Sequence, residues 1–359
     1  MLKHSFSLFL LFILISQGSF SQTKYVSFSD KSISYEGRIA YTPDAAVLMW
    51  PGTSIKINFK GTGISGEFKD TDTSNYYNVI IDNNRSYIIQ FDTSKEIIVL
   101  ASGLPRGKHS LQIFKRTEWD KGKTFFYGFE CNEKNKLLKP GTLPKRKIEF
   151  FGNSITCGYA INDTIQDSPA GYYENNYDAY AAITARYFNA QYHCTSKSGI
   201  GIMVSWFPLI MPEMYNRLDP TDTTSKWDFS KYTPDLVVIN LLQNDSWIVN
   251  MPDNEQFKNK FGTKAPDEND IINAYKNFVH TIRATYPKAQ IICMLGNMDI
   301  TRKNSPWPVY VSKAVGQLHD QNIYTYFAPY KETKGHPKVK EQQMLADGLI
   351  QFINEHIKW

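Results

Sequence analysis

The spacing of apolar residues changes once along this chain, and that change limits the folds open to it. From residue 24 to about 130 the apolar residues fall in short runs with a period near two. In Ser54 to Phe59, for example, Ile55, Ile57 and Phe59 share one face. Further runs cover Ile64 to Phe68, Tyr77 to Ile81, Ser86 to Phe91, Glu96 to Leu100, His109 to Lys115 and Thr124 to Phe129. Turn-forming residues separate them: Pro51-Gly52, Gly61-Thr62-Gly63, Asp82-Asn83-Asn84 and Pro105-Arg106-Gly107. Many short strands with such turns predict an antiparallel β-sandwich. Residues 132–146 are polar, contain Pro140-Gly141 and Pro144, and read as a linker. Beyond them strands and helices alternate. Strands are expected at Lys147 to Phe151, Asp235 to Leu241, Gln290 to Leu295 and Ile323 to Phe327. Helices are expected at Asp178 to Phe188, about Asp270 to Thr285, Pro308 to Gln321 and Val339 to Ile357. That alternation predicts an α/β/α domain on a parallel sheet, with functional groups at the carboxyl ends of the strands.

A length of 359 residues suits two such domains. The division expected is a signal peptide over 1–21, a β-sandwich over 22–131, a linker over 132–146 and a catalytic domain over 147–359. The first of these rests on Lys3 and His4, an apolar run from Phe6 to Ile15, and small residues at Ser19 and Ser21. Cleavage after Ser21 would deliver a secreted or periplasmic protein. The run is shorter than the ~20 residues a membrane span needs. Cys131, Cys157, Cys194 and Cys293 form no metal-binding pattern and read as buried free thiols. A net charge of +5, with both signs interspersed, offers no nucleic-acid patch.

Gly152-Asn153-Ser154-Ile155-Thr156 follows the first strand of the second domain. A serine at a tight strand-to-helix turn presents its hydroxyl, although Thr156 departs from the Gly-x-Ser-x-Gly elbow. A serine needs a base. Of the seven histidines, only His336 lies in a polar loop between a strand and the last helix, between Gly335 and Pro337. Asn244, after the strand ending at Leu241, can offer a side-chain amide to an oxyanion. Gly199, in Ser198-Gly199-Ile200-Gly201, permits close backbone approach. Each segment is ordinary alone: Gly-Asn-Ser and Asn-Asp are common turns, and Gly-x-Gly is a common loop.

Their order, Ser154, Gly199, Asn244, His336, each just after an expected strand, resembles the SGNH (GDSL-like) hydrolase superfamily over about residues 147 to 357. The first domain is similar to carbohydrate esterase family 2 in Trp50-Pro51-Gly52-Thr53, Tyr77-Asn78-Val79, Leu104-Pro105-Arg106-Gly107-Lys108-His109 and Lys115-Arg116-Thr117-Glu118. The resemblance implies a jelly-roll domain joined to an SGNH domain, and acetyl esterase activity on xylan, glucomannan or related polysaccharides without metal or cofactor. It also implies Ser154 as nucleophile, His336 as base, and an oxyanion hole of Ser154, Gly199 and Asn244. Two positions depart from the superfamily pattern. Leu242 replaces a glycine, which is expected to narrow the pocket beside Asn244. Thr333 stands where an aspartate often precedes the histidine. A Ser-His dyad, with a backbone carbonyl orienting His336, is therefore expected; the alternatives are Glu332 as a substitute acid and a distant Asp or Glu from another loop that completes a triad.

Aromatic residues make up 14% of the chain, and their flat faces suit sugar rings. Trp119, Trp206 and Trp247 are candidate substrate-binding residues on one cleft shared by both domains, each weighed against simple core packing. The expected partner is an acetylated polysaccharide or oligosaccharide. Other readings of the same residues are a deacetylase of another O-acetylated glycan such as peptidoglycan, a small-ester lipase, and a glycan-binding protein with a decayed site.

Overall fold

The structure, a computed structural model, describes residues 23–132 and 136–359. The expected signal peptide falls outside the described residues. Residues 23–132 and 136–137 form two six-stranded antiparallel sheets packed face to face. One runs in the order Ile39–Tyr41, Ala46–Leu48, Thr124–Asn132, Ile64–Asp70, Glu96–Ala101, with Thr23–Ser27 also paired to Thr124–Asn132. The other runs Lys136–Leu137, Ser54–Gly61, Gly107–Lys115, Tyr77–Ile81, Asn84–Ile89, with Ile33–Glu36 also paired to Ser54–Gly61. The alternation seen in the sequence is the cause. Ile55, Ile57 and Phe59 turn inward to meet Phe68, Val79, Leu111, Ile113, Phe126 and Phe129. Phe68 and Phe91 stack with ring centroids 4.1 Å apart at the centre of this core.

Residues Lys136–Leu137 lie within the stretch expected as a linker, yet they pair with Phe59 and Lys60. The four short strands before Ser54, each three to five residues long, escaped the sequence pattern because so few residues give no measurable period.

The second domain holds a five-stranded parallel sheet in the order Ala190–Ser196, Arg146–Gly152, Leu236–Asn240, Gln290–Leu295, Ile323–Phe327. Consecutive residues go to opposite faces. Val237 and Ile239 join the core under the Glu268–Thr285 and Trp307–Gly316 helices, while Leu236 and Val238 join the core under Tyr180–Tyr187 and Val339–His356. Burial on both faces is why these strands read as unbroken apolar runs. In chain order the strands lie 2-1-3-4-5, so the topological switch falls between the first and third. In such sheets the crevice at the carboxyl ends of those two strands is where ligands bind. Ser154 and Asn244 follow those two strands.

The sandwich docks on the sheet edge at Ala190–Ser196. Glu36 accepts the Tyr192 backbone N–H (2.8 Å), satisfying a donor that an edge strand leaves open. Arg38 reaches across to the carbonyls of Tyr215 and Arg217 (2.6 and 2.9 Å) and pairs with Glu149 (2.8 Å), wholly buried. All four cysteines are free and buried. No described helix is long and apolar enough to cross a membrane.

Candidate active site

Gly152 ends its strand where a Cβ would lie 2.0 Å from Thr156 Oγ1, so only glycine admits the turn. Asn153 then caps the short helix Ser154–Cys157, its side chain accepting the Ile155 N–H (3.1 Å). Thr156 Oγ1 and the Asn240 amide both meet the Tyr180 hydroxyl (3.0 and 3.1 Å), fixing the turn to the neighbouring strand.

His336 Nε2 lies 2.9 Å from Ser154 Oγ. The group at His336 Nδ1 is not the main-chain oxygen expected from the sequence. It is the Asp167 carboxylate, 2.8 Å away, which also accepts the His336 backbone N–H at 2.8 Å. Asp167 comes from the loop that follows the Ser154–Cys157 helix, not from the histidine's own loop. That loop is wound around Asp163, whose carboxylate accepts the N–H groups of Ile165, Gln166 and Ser168 (2.9, 3.0 and 3.0 Å). Lys338 Nζ binds the carbonyls of Ala160 and Gln166 and the second Asp167 oxygen (2.7 Å). Gly335, at φ +72°, lets the carboxylate in: a Cβ there would lie 2.7 Å from Asp167 Oδ2. Burial works to raise the Asp167 pKa. The hydrogen bonds from His336 and Lys338 outweigh it and hold the carboxyl well below its usual value.

Thr333, at the position where the superfamily often has its acid, donates to Glu341 and accepts from Lys331. Glu332 is exposed, and the oxygen at His336 Nδ1 is Asp167's rather than its own. The Tyr159 ring packs against the His336 ring with centroids 4.6 Å apart.

Asn244 is 3% exposed and its amide is oriented at both ends. Its Oδ1 accepts the Trp206 indole N–H (3.1 Å) and its Nδ2 donates to the Ile200 carbonyl (2.8 Å). An amide nitrogen carries two hydrogens, so one donor remains. Gly199 takes φ +82°, and a Cβ there would approach Phe207 and Trp206 at 3.1 and 3.4 Å. Beyond it, the buried Asp245 carboxylate accepts the N–H groups of Ile202, Met203 and Val204 (3.1, 2.7 and 3.2 Å).

Leu242 keeps the left-handed backbone that a glycine would take there, at φ 73°. The narrowing expected from it does not arise. Its side chain has no exposed surface and belongs to the core with Ile239, Leu241 and Ile248, so it lines no open pocket.

The three tryptophans take different places. Trp206 is 43% exposed beside Gly199 and Asn244. Trp247 is half-buried, tied to Asp299 (2.8 Å), and lines a cleft with Arg302, Tyr330 and Gly335. Trp119 is half-buried, its ring 5.5 Å from the Lys197 ammonium. Among the described residues no group of three His, Cys, Asp or Glu side chains is placed to hold a metal ion.

Residues 35–140 match the family model for the carbohydrate esterase 2 N-terminal domain, and residues 150–349 match the GDSL-like lipase/acylhydrolase family. The chain is 32% identical over 348 residues to the cellulase/esterase CelE of Acetivibrio thermocellus, covering 91% of this chain but 40% of that protein's length. An acetylxylan esterase / glucomannan deacetylase of Cellvibrio japonicus is 25% identical over 96% of this chain and 94% of its own. A family two carbohydrate esterase from Clostridium thermocellum, solved in complex with cellohexaose, superposes with a TM-score of 0.80 at 33% identity, over 90% of this chain and 98% of that one. With both domain models matched in order and 98% of that esterase covered, the chain belongs to carbohydrate esterase family two, its second domain being of the GDSL-like acylhydrolase type.

Proposed function

We propose that this chain removes O-acetyl groups from plant cell-wall polysaccharides such as xylan and glucomannan, by acyl transfer through Ser154, His336 and Asp167. The observation that carries the mechanism is the continuous line from Asp167 through His336 to Ser154, at 2.8 and 2.9 Å. Asp167 holds Nδ1 protonated, which leaves Nε2 to take the Ser154 proton. Ser154 Oγ attacks the acetyl carbonyl. The Ser154 N–H, the Gly199 N–H and the remaining Asn244 amide hydrogen stabilise the oxyanion. The sugar hydroxyl leaves with the proton from His336. Water, activated by the same imidazole, then hydrolyses the acetyl-enzyme. The substrate class rests on the family's carbohydrate esterases and on the named activity of the Cellvibrio relative. Trp206 offers an apolar face beside Gly199 and Asn244, and Trp247 one in the cleft that Gly335 also lines. Export after cleavage near Ser21 would put the enzyme where such polymers are found.

The test is acetate release from acetylated xylan and glucomannan, with 4-nitrophenyl esters of increasing acyl length as a second measure. Ser154→Ala and His336→Ala are expected to remove nearly all turnover. Asp167→Ala is expected to lower kcat by roughly 10²–10⁴, while Glu332→Ala leaves it unchanged. Full turnover in Asp167→Ala would refute the triad. A preference for long acyl chains over acetate would refute the substrate class.

A further inference from the structure

Two carboxylates of the sandwich domain reach Lys197, Asp120 at 2.9 Å and Glu118 at 3.1 Å, and a single oxygen of Glu118 also meets two segments of the other domain's catalytic machinery. Glu118 is 1% exposed. Its Oε2 accepts the Ser198 backbone N–H at 2.6 Å and the Lys197 ammonium at 3.1 Å. The Cys157 thiol, on the last residue of the nucleophile's helical turn, lies 3.6 Å from the same oxygen. Ser198 immediately precedes Gly199.

Glu118 is itself held in place. Its N–H donates to Glu174 Oε2 (3.0 Å), and its carbonyl accepts from the buried Lys115 ammonium (3.2 Å). Lys115 also binds Asn75 Oδ1 (2.6 Å) and both oxygens of Thr117 (3.0 Å each), fixing the strand end that carries Glu118. Burial opposes ionisation of Glu118. The Lys197 charge and the Ser198 donors overcome that and hold its carboxyl below the ordinary value.

The loop from Lys197 to Trp206 has no regular secondary structure, and Gly199 within it is free of the side-chain restraint that narrows φ and ψ elsewhere. Asp245 gathers the N–H groups after Gly199, and Glu118 takes the N–H before it. A donor to an oxyanion works only when placed to within about half an ångström. From this we infer that Glu118 is a positioning residue for the Gly199 oxyanion donor, so that the first domain sets the catalytic geometry of the second. The inference rests on the role proposed above for Gly199.

The test is kcat and KM on 4-nitrophenyl acetate, per folded chain, for Glu118→Ala, Glu118→Gln and Glu118→Asp, with the folded fraction read from the thermal-unfolding amplitude. Loss of positioning acts on the transition state. Glu118→Ala is therefore expected to lower kcat by ten-fold or more, short of the ~10²–10³ that removal of a donor costs, with KM within about two-fold of wild type. Gln keeps an acceptor oxygen at the same reach and is expected to restore most of kcat. Asp keeps the charge but is one methylene too short, and is expected not to. If Ala fails to fold, the Gln and Asp variants still decide. Wild-type kcat in Glu118→Ala overturns the inference. So does rescue by Asp and not by Gln, which would make Glu118 an ion-pair anchor for Lys197. A Ser154→Ala variant that retained turnover would overturn the proposed function instead. An inert Ser154→Ala beside a fully active Glu118→Ala overturns only this inference.

Discussion

Leu242 carries a conformation that its side chain opposes. For an L-residue the left-handed region costs roughly 1–2 kcal/mol, yet Leu242 sits at φ 73° ahead of the Gln243–Ile248 helix. Its buried side chain supplies the compensation, since truncating a packed leucine typically costs about 2–5 kcal/mol. Two variants separate these terms. Leu242→Ala loses the packing and keeps the strain, while Leu242→Gly loses the packing and relieves the strain. Both are expected to be less stable than wild type in urea unfolding. The Gly variant should be the more stable of the two by about 1 kcal/mol, the reverse of the usual helix order. An Ala variant more stable than the Gly variant would show that the backbone there is unstrained.

At the scale of elements, the edge strand Ala190–Ser196 and the segment between Ile33–Glu36 and Ile39–Tyr41 hold the domains together. Arg38 lies in that segment, stacked among Trp50, Trp227 and Phe229 at 5.5–5.7 Å from their ring centroids. Its partner Glu149 also accepts from Thr195 (3.1 Å) and Tyr286 (2.5 Å), so the carboxylate is fully engaged. Removing one member of a buried pair leaves the other uncompensated, at a cost of roughly 3–5 kcal/mol. Arg38→Ala is expected to lose stability on that scale. An Arg38→Met/Glu149→Gln double variant should recover part of it, because neither charge then remains buried. Stability of Arg38→Ala within about 1 kcal/mol of wild type would show that the pair contributes no more than a surface ion pair.

For the whole molecule, the seam between domains holds a carboxyl that disfavours high pH. Burial, together with the nearby Glu118 charge, pushes Glu174 up to about 8 from its ordinary 4.5. Between those values the folded chain keeps a proton that the unfolded chain has released. The stabilisation is therefore complete below about 4.5 and is lost as pH rises through about 8. Glu174→Gln, which cannot ionise, should remove that slope. Its stability relative to wild type is expected to increase from about pH 5 to about pH 9 in urea unfolding, and parallel curves would show that Glu174 is ionised throughout.

What the sequence determined by itself was whatever neighbouring residues encode. Strands Tyr77–Ile81, Gln290–Leu295 and Ile323–Phe327 lie where alternation or a buried apolar run put them, because burial period is a local property of the chain. Ser154 and His336 were legible for a related reason. Each follows a strand, with a glycine one or two residues before it, and in a parallel sheet strand ends converge on one crevice. Asp167 was not legible. It lies 169 residues before His336, in the irregular run Ile161 to Ala170, and no local pattern distinguishes it from Asp163, which folds the loop instead. The one signal nearby was the missing acid at Thr333, which says that something else must face Nδ1 but not what. Glu118 was hidden in the same way, 80 residues before Ser198 and on another domain. Both contacts depend on the relative placement of distant segments. For Glu118 that placement follows from how the sandwich and the sheet edge pack, through pairs such as Arg38 with Glu149 and Glu36 with Tyr192; for Asp167 it follows from how its loop packs on that of His336, through Lys338. Only the tertiary structure decides those contacts, because their energies arise between groups that the chain brings together by folding.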